Sequence, residues 1–144
     1  MSIQRDRCVH GTGIDDQSLT DWLAGFGSLH LDLGTGDGAY ALRLARERPD
    51  VAVIGIDTCL DHLTKPARRG LRNLRFLTCD ATRSPAWLHG RADAISINFP
   101  YGALLHALAD CERGEAQTIF ALARPGARIE VRINATAGEA CGLS

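Results

Sequence analysis

The segment Ser28–Gly38, SLHLDLGTGDG, holds the strongest indication of the fold. Its first six residues alternate around leucine and predict a strand, which ends where three glycines recur at every second position. From Ala39 to Arg48, alanine, leucine and arginine predominate, which predicts a helix that Pro49 ends. A strand, a glycine-rich turn and a helix in this order are typical of an α/β protein with a parallel sheet.

The alternation of strands and helices continues along the rest of the chain of 144 residues. Before the segment, the sequence SLTD from Ser18 resembles a capping box and predicts the start of a short amphipathic helix. The predicted strands are Ser28–Leu33, Val51–Asp57, Leu74–Cys79, Ala92–Phe99 and Arg128–Ile133. The predicted helices between them are Ala39–Arg48, Thr58–Arg69 with an interruption at Pro66, Ala103–Ala109 and Glu115–Arg124, and Pro125-Gly126 is predicted as a turn. We therefore predict one domain, residues 1–144, with a doubly wound parallel sheet covered by helices on both faces.

Composition narrows the class of protein further. Hydrophobic residues make up 45% and charged residues 23% of the chain, and the formal net charge is -1. These values argue against a disordered chain and against a coiled coil. No apolar run is long enough for a membrane span, and the first residues lack the apolar core of a secretory signal. Five cysteines without a C-x-x-C pair predict reduced thiols in a cytoplasmic protein that has neither a disulfide framework nor a metal site. The near-neutral charge argues against nucleic-acid binding by global electrostatics, although a local basic patch fits the composition.

The glycine-rich turn has the composition of a ligand-binding loop. Alternate glycines at Gly34, Gly36 and Gly38 allow tight turns and a close approach of a ligand to the backbone, next to the N-terminus of the following helix. The third glycine comes one residue too early for the dinucleotide-binding pattern G-x-G-x-x-G. The alternative is a tight strand-to-helix turn without a ligand.

Carboxylates end the second and third predicted strands, at the edge of the sheet where ligands bind in this architecture. Asp57 can accept both hydroxyls of a ribose, and its alternative role is to cap the helix that follows. Asp80 can accept the exocyclic amine of an adenine, and its alternative role is that of a solvated loop residue.

The fourth predicted strand ends in Asn98-Phe99-Pro100-Tyr101. An amide and an aromatic ring at a strand end suit a planar amine or base, because the amide can orient it and the ring can stack on it. The alternative is that Asn98 satisfies buried backbone groups and Tyr101 lies on the surface.

Taken together, these motifs resemble the class I S-adenosylmethionine-dependent methyltransferases. The pattern D-x-G-x-G-x-G after the first strand, an acidic end of the second strand and Asp-Ala after the third carry this resemblance, from about Gly27 to Leu108. Within the class, the chain is similar to the aminoglycoside-resistance 16S rRNA methyltransferases that modify N1 of a decoding-site adenine. The stretches that carry this second resemblance are HLDLGTGDG from His30, IGID from Ile54 and INFPYGALL from Ile97. That family normally has Trp at the position of Tyr101.

The resemblance implies a Rossmann-like class I methyltransferase fold with strand order 3-2-1-4-5 and without the last two strands of the class. It also implies S-adenosylmethionine as the cofactor, with Asp57 on the ribose and Asp32 orienting the methionine ammonium, directly or through a water. The implied cofactor-binding residues are Asp32, Gly34, Thr35, Gly36, Gly38, Asp57, Asp80 and Ala81. Asn98 and Tyr101 are implied to place the acceptor base.

The segment KPARRGLRNLR between the second and third strands matches the position of the family's basic RNA-binding segment. We expect its cations to contact phosphates of 16S rRNA or of the small ribosomal subunit, and the alternative is a solvated helix face. These cations are Lys65, Arg68, Arg69, Arg72 and Arg75.

Three further expectations follow. One alternative function is methyl transfer to a small molecule or an exocyclic amine, because Asn98-Phe99-Pro100-Tyr101 is close to the N-P-P-Y motif of amino-methyltransferases. Another is a truncated, non-catalytic domain that only binds the cofactor. The last strand, Arg128–Ile133, is expected at an edge of the sheet, where it forms a homodimer or makes the chain prone to aggregate.

Overall fold

The computed structural model describes residues 9–10, 16–110 and 114–136. Cys8, Cys111 and Cys141 lie outside the described residues. The strands are β1 (Val9–His10), β2 (Ser28–Leu33), β3 (Val51–Asp57), β4 (Leu74–Thr78), β5 (Ala92–Asn98) and β6 (Ala123–Arg132). The helices are α1 (Asp16–Leu23), α2 (Ala39–Glu47), α3 (Lys65–Arg69), α4 (Gly102–Ala109) and α5 (Glu115–Phe120), with two 3-10 turns at Ala81–Arg83 and Ala86–Leu88.

The six strands form one sheet in the order β1-β4-β3-β2-β5-β6. Strands β2 to β6 run parallel to one another, and their positions confirm the predicted order 3-2-1-4-5 when strands are counted from β2. Strand β1 pairs antiparallel with β4 and was not predicted, because two residues are too short to show a periodic pattern.

Helices cover both faces of the sheet, as predicted. Leu19 of α1, Ala107 of α4 and Ile119 of α5 belong to the larger buried cluster, together with the leucines of β2. Helix α2 covers the opposite face over β3 and β4, where Leu42 packs in a smaller cluster. Because the strands are parallel, their carboxyl ends lie along one edge of the sheet, and the helices on both faces fix the position of that edge.

Two predicted helices begin at other residues in the structure. The helix predicted over 58–69 is wrong in its first half, because α3 begins at Lys65 and Pro66 lies in its first turn. Proline is favoured there, and the Thr64 side chain caps the helix by accepting a hydrogen bond from the backbone N–H of Ala67, 3.3 Å away. Helix α1 begins at Asp16, so Ser18 lies inside the helix rather than at its N-cap.

The last strand is longer than predicted. Helix α5 ends at Phe120, and β6 runs from Ala123 through Pro125 and Gly126, which were predicted as a turn. A register shift opposite Ala92 and Ala94 absorbs these residues, and Gly126 has a φ of 82°. Strand β6 lies at the edge of the sheet, as predicted. Across the described parts of the chain, no helix has the length and apolar character to cross a membrane.

Candidate active site

An open pocket lies at the carboxyl ends of β2, β3, β4 and β5. The space between its walls, including open solvent at the mouth, is about 670 Å³. Strand β2 has β3 on one side and β5 on the other, so the pocket sits where the chain order reverses. Its walls include Gly34, Asp57, Asp80, Ala81, Tyr101 and Leu104.

The glycine-rich turn forms one wall and is bonded to β3. The backbone N–H of Gly34 donates to the carbonyl of Ile56 at 2.8 Å, and the N–H of Gly36 donates to Oδ2 of Asp57 at 2.9 Å. Gly34 has a φ of 69°, and a Cβ there would come within 3.1 Å of Leu104. The turn therefore needs glycine at this position for its conformation, and a side chain there would also crowd Leu104.

Asp57 faces the pocket from the end of β3. Its Oδ1 accepts the N–H of Cys59 at 3.1 Å, while Oδ2 accepts from the turn as described above. The alternative that Asp57 caps the following helix is wrong, because that helix begins eight residues later, at Lys65. With one described hydrogen bond on each oxygen, the carboxylate keeps acceptor capacity toward the pocket.

Asp80 and Ala81 lie side by side on the pocket wall. Oδ1 of Asp80 accepts from both the backbone N–H and the hydroxyl of Thr82, at 2.9 and 2.7 Å. Asp80 thus caps the first 3-10 turn, so its alternative as a merely solvated loop residue is wrong. This cap holds Oδ1 in place and leaves Oδ2 without a hydrogen bond to the described residues.

Asp32 lies beneath the turn and does not line the pocket. It is 2% exposed and accepts hydrogen bonds from the hydroxyls of Thr35, 2.9 Å away, and Ser96, 2.8 Å away. Burial raises the pKa of Asp32, while the hydrogen bonds from Ser96, Thr35 and Asn98 oppose that rise and the charge of Asp57 adds to it. Asp32 and the predicted residue Thr35 together brace the turn from below.

His30 continues this buried network away from the pocket. Its Nε2 lies 2.9 Å from the Ser96 hydroxyl, which itself donates to Asp32, so Nε2 carries the hydrogen. Burial, assisted by the positive charges of Arg128 and Arg48, lowers the pKa of His30 to about 4. The ring is therefore neutral at neutral pH.

Gly38, also predicted as a cofactor contact, faces the protein interior. A Cβ at Gly38 would lie 2.8 Å from Leu63 and 2.9 Å from Phe76, and φ is 76°. Leu63, which precedes α3, and Phe76 of β4 can therefore pack against the start of α2 only with glycine at this position.

The loop after β5 forms the outer wall of the pocket. Tyr101 is 83% exposed at the N-cap of α4, and Phe99 has a φ of 51°, which is rare for a residue with a side chain. Of the alternative considered for this motif, the surface position of Tyr101 is confirmed, whereas Asn98 makes no hydrogen bond to a backbone group of the described residues. Its carboxamide lies between Asp32 and Arg132.

The predicted basic segment divides into two groups. Arg75 is half-buried: its Nη1 donates to the carbonyls of Leu71 and Leu74, and its guanidinium lies 4.8 Å from the ring centroid of Trp22. Arg68 donates to the carbonyls of Asp61 and Leu63.

The other cations of the segment face solvent. Lys65 and Arg69 are exposed on α3, and Arg72 is exposed with its guanidinium 5.0 Å from the ring of Phe26. A guanidinium above a ring can keep its N–H groups available for other partners.

Sequence reasoning did not identify two residues of the site. Ser96 bridges Asp32 and His30, and Arg132 reaches Asn98 from β6. The alternation of Arg128, Glu130 and Arg132 with apolar residues was a signal that these three side chains share one face of the strand. It could not indicate which residue of β5 they would meet.

The sheet order and the pocket at its switch point define a Rossmann-like α/β domain of the class I methyltransferase type. A family model described as "NpmA: 16S rRNA (adenine(1408)-N(1))-methyltransferase" matches residues 9–141. The chain belongs to this family.

Individual relatives agree with this assignment. A 16S rRNA (adenine(1408)-N(1))-methyltransferase of Escherichia coli is 34% identical over 125 residues, covering 81% of this chain and 57% of that protein. The crystal structure of the aminoglycoside resistance methyltransferase NpmB1 superposes with a TM-score of 0.75 at 32% identity, covering 91% of this chain and 70% of that one.

A mutant 16S rRNA (adenine(1408)-N(1))-methyltransferase from Catenulisporales acidiphilia, solved with the cosubstrate SAM, matches with a TM-score of 0.68 at 26% identity and covers 90% of this chain and 77% of that one. The chain spans somewhat more than half the length of the Escherichia coli relative.

Proposed function

We propose that this chain binds S-adenosylmethionine and transfers its methyl group to N1 of an adenine in 16S rRNA, a modification that gives aminoglycoside resistance. The observation that carries the proposal is the hydrogen bond from the Gly36 N–H to Asp57. It holds the Asp57 carboxylate in the wall of the pocket, at the point where the strand order of the sheet reverses. Membership of the family and the names of its relatives support the same activity. A ribosomal substrate implies that the protein works in the cytoplasm.

The residues around the pocket fit the chemistry of this cofactor. Asp57 offers a carboxylate with free acceptor capacity for ribose hydroxyls, and Asp80 offers Oδ2 for an adenine amine. Gly36, with a φ of 58°, has no atom within 4 Å of where its Cβ would be, so the backbone there is open to a ligand.

The cofactor supplies a methyl group on a positively charged sulfonium, which needs no further activation. The protein therefore contributes position and exclusion of water. We assign ribose binding to Asp57, adenine binding to Asp80 and Ala81, and support of the turn to Asp32 and Thr35. N1 of adenine carries its own lone pair, so no general base is required among these residues.

We assign placement of the acceptor base to Asn98 and Tyr101. Tyr101 exposes most of its ring at the mouth of the pocket, where a base can stack on it. Asn98 can hydrogen-bond the N6 and N7 edge of that base, which leaves N1 free to react.

We assign rRNA phosphate contacts to Lys65, Arg69 and Arg72, whose charged groups face solvent. Arg68 and Arg75 bind carbonyls of their own chain and so help to hold the loops of the same surface in place. All five cations of the predicted RNA-binding segment thus keep a role, three as phosphate contacts and two as residues that stabilise the segment.

A methyl-transfer assay with labelled cofactor tests the proposal, using 30S subunits, free 16S rRNA and small amines as acceptors. We expect label at adenine N1 of 16S rRNA only. Transfer to the amines would favour the small-molecule alternative, and tighter binding of NAD than of S-adenosylmethionine would refute the cofactor assignment.

One observation favours a second candidate, a cofactor-binding domain that works as a homodimer. Strand β6 lies at the sheet edge, with Ile129 and Val131 exposed at 36% and 39%. An edge with apolar side chains can pair with the same strand of a second copy. Cofactor binding without methyl transfer, together with a stable dimer, would support this candidate.

A further inference from the structure

Arg132 connects the last strand to the loop that we assign to acceptor placement. It lies directly opposite Asn98 in the pairing of β5 with β6. Its Nη1 donates to Oδ1 of Asn98 at 2.7 Å, and its backbone carbonyl accepts the N–H of Phe99 at 2.7 Å. One residue therefore contacts both the side chain of Asn98 and the backbone that follows it.

The neighbours of Asn98 permit only one orientation of its carboxamide. Nδ2 lies 3.5 Å from Oδ1 of Asp32, a long contact with a buried carboxylate, and Oδ1 lies against the Arg132 guanidinium. Rotation by 180° would bring the amide oxygen to the carboxylate and the amide nitrogen to the cation. Both contacts would then be repulsive.

The guanidinium is itself held in place. Its Nη2 donates to Oε2 of Glu130 at 3.1 Å, and Tyr40 lies beside it with the ring centroid 6.0 Å from Cζ. Arg132 thus uses separate nitrogens for Glu130 and Asn98. A planar fork can make both contacts at once, whereas an ammonium acts as a single point charge.

We propose that Arg132 is a positioning residue for the acceptor: it sets the orientation of the Asn98 carboxamide, directly before Phe99 on the pocket wall. This rests on the proposed function, in which Asn98 contacts the acceptor base. With Oδ1 bound to Arg132 and Nδ2 directed toward Asp32, Asn98 presents one remaining lone pair and one remaining N–H to an incoming base. The N6 amine and N7 of adenine offer one donor and one acceptor on the edge away from N1, so pairing Asn98 there leaves the N1 lone pair free to accept the methyl group.

The side chain of Arg132 can be changed while its backbone contact is kept. The Phe99 N–H bonds to the carbonyl of residue 132, which every substitution retains. We therefore expect Arg132→Gln to fold and to keep β6 paired. Arg128→Gln is the matched control, because Arg128 lies on the same strand and also bonds Glu130, with no contact to Asn98.

The primary readout is the side-chain amide signal of Asn98 in a nitrogen–proton NMR spectrum, assigned by its loss in Asn98→Asp. In Arg132→Gln we expect this signal to shift and its hydrogen exchange to quicken, with a partial return in Arg132→Lys and no change in Arg128→Gln. An Asn98 signal in Arg132→Gln at its wild-type position, with wild-type exchange, would overturn the proposal.

Kinetics provide the second readout. We expect Arg132→Gln to lower kcat for methyl transfer to rRNA by about 10- to 100-fold, as small misplacements of reacting groups do, with the Kd for S-adenosylhomocysteine within about twofold of wild type. An equal loss of kcat in Arg128→Gln would show that Arg132 only stabilises β6, and this result would also overturn the proposal. Absence of cofactor binding in the wild type would instead refute the proposed function, and the NMR readout would still decide the role of Arg132.

Discussion

Asp57 and Asp37 are both carboxylates at the glycine-rich turn, Asp37 within it and Asp57 bonded to it, but they differ in their access to the pocket. Asp57 lines the pocket, whereas Asp37 is exposed and accepts the N–H of Ala39 at the start of α2. The pair therefore separates cofactor binding from the general effect of losing a carboxylate near the glycine-rich turn.

We predict that Asp57→Asn weakens binding of S-adenosylhomocysteine by about 1.5–3 kcal/mol, because a charged acceptor for the ribose hydroxyls is lost. Asp37→Asn should leave the affinity unchanged. Calorimetry on both variants measures the effect, and equal affinities for wild type and Asp57→Asn would remove Asp57 from the ribose site.

His30 makes the stability of the fold depend on pH. Its folded-state pKa of about 4 lies below the ordinary value of 6.5, so between these values the unfolded chain binds the proton and the folded chain does not. Stability should therefore fall as the pH is lowered from about 6.5 to 4, with a slope of at most about 1.4 kcal/mol per pH unit for one proton.

The test of this prediction is urea unfolding at a series of pH values, in wild type and in His30→Gln. The variant should lose most of the slope between pH 6.5 and 4, because glutamine does not titrate. Asp32, whose pKa is raised by burial, acts in the opposite sense: its contribution falls as the pH rises through the interval above 3.8. A slope that is the same in both proteins would show that another group is responsible.

At the scale of elements, the segment from α3 to β4 has cations exposed to solvent and also makes contacts that hold it against α1, here called the brace. The brace joins this segment to α1, because Trp22 donates its Nε1–H to the carbonyl of Arg72 and Arg75 stacks on the Trp22 ring. Lys65 and Arg69 take no part in it. The two groups of cations should therefore respond differently to substitution.

We predict that Lys65→Gln with Arg69→Gln weakens RNA binding and reduces its logarithmic salt slope by about 0.7–0.9 for each lost phosphate contact. Arg75→Gln should instead lower the melting temperature and leave the salt slope unchanged. Arg91→Gln, an exposed arginine outside the segment, is the control. Binding titrations over a range of salt concentrations measure the slopes, and an unchanged slope in the double variant would mark the segment as a solvated helix face.

At the scale of the whole molecule, the sheet has a short antiparallel strand at one edge and the ten-residue strand β6 at the other. We predict that two copies pair through β6 and that Val131→Lys raises the dimer dissociation constant at least about tenfold, since it places a charge on the exposed apolar edge. Val131→Ile should keep the dimer. Sedimentation over a wide concentration range measures both, and a wild-type monomer with slow amide exchange across 128–132 would contradict the prediction.

Much of the architecture could be predicted because its signals are local. Alternating strands and helices with right-handed crossovers predicted a doubly wound parallel sheet, and the resemblance to class I methyltransferases implied its strand order. The position of the pocket followed from that order. The boundaries that were wrong, at α3 and at the start of β6, involve Pro66, Pro125 and Gly126. There the same residue can end one element or begin another, and the choice depends on packing against distant strands.

The amino-acid sequence by itself determined the glycine-rich turn and the carboxylates that follow the strands, because these depend on neighbours within a few positions. Only the tertiary structure decided which of those groups face the pocket. Asp32 and Gly38 belong to the same motif as Gly34, yet they are buried against Ser96 and Leu63. The contacts of Ser96 with Asp32 and of Arg132 with Asn98 join residues 64 and 34 positions apart, and they exist because sheet order and register bring those strands side by side.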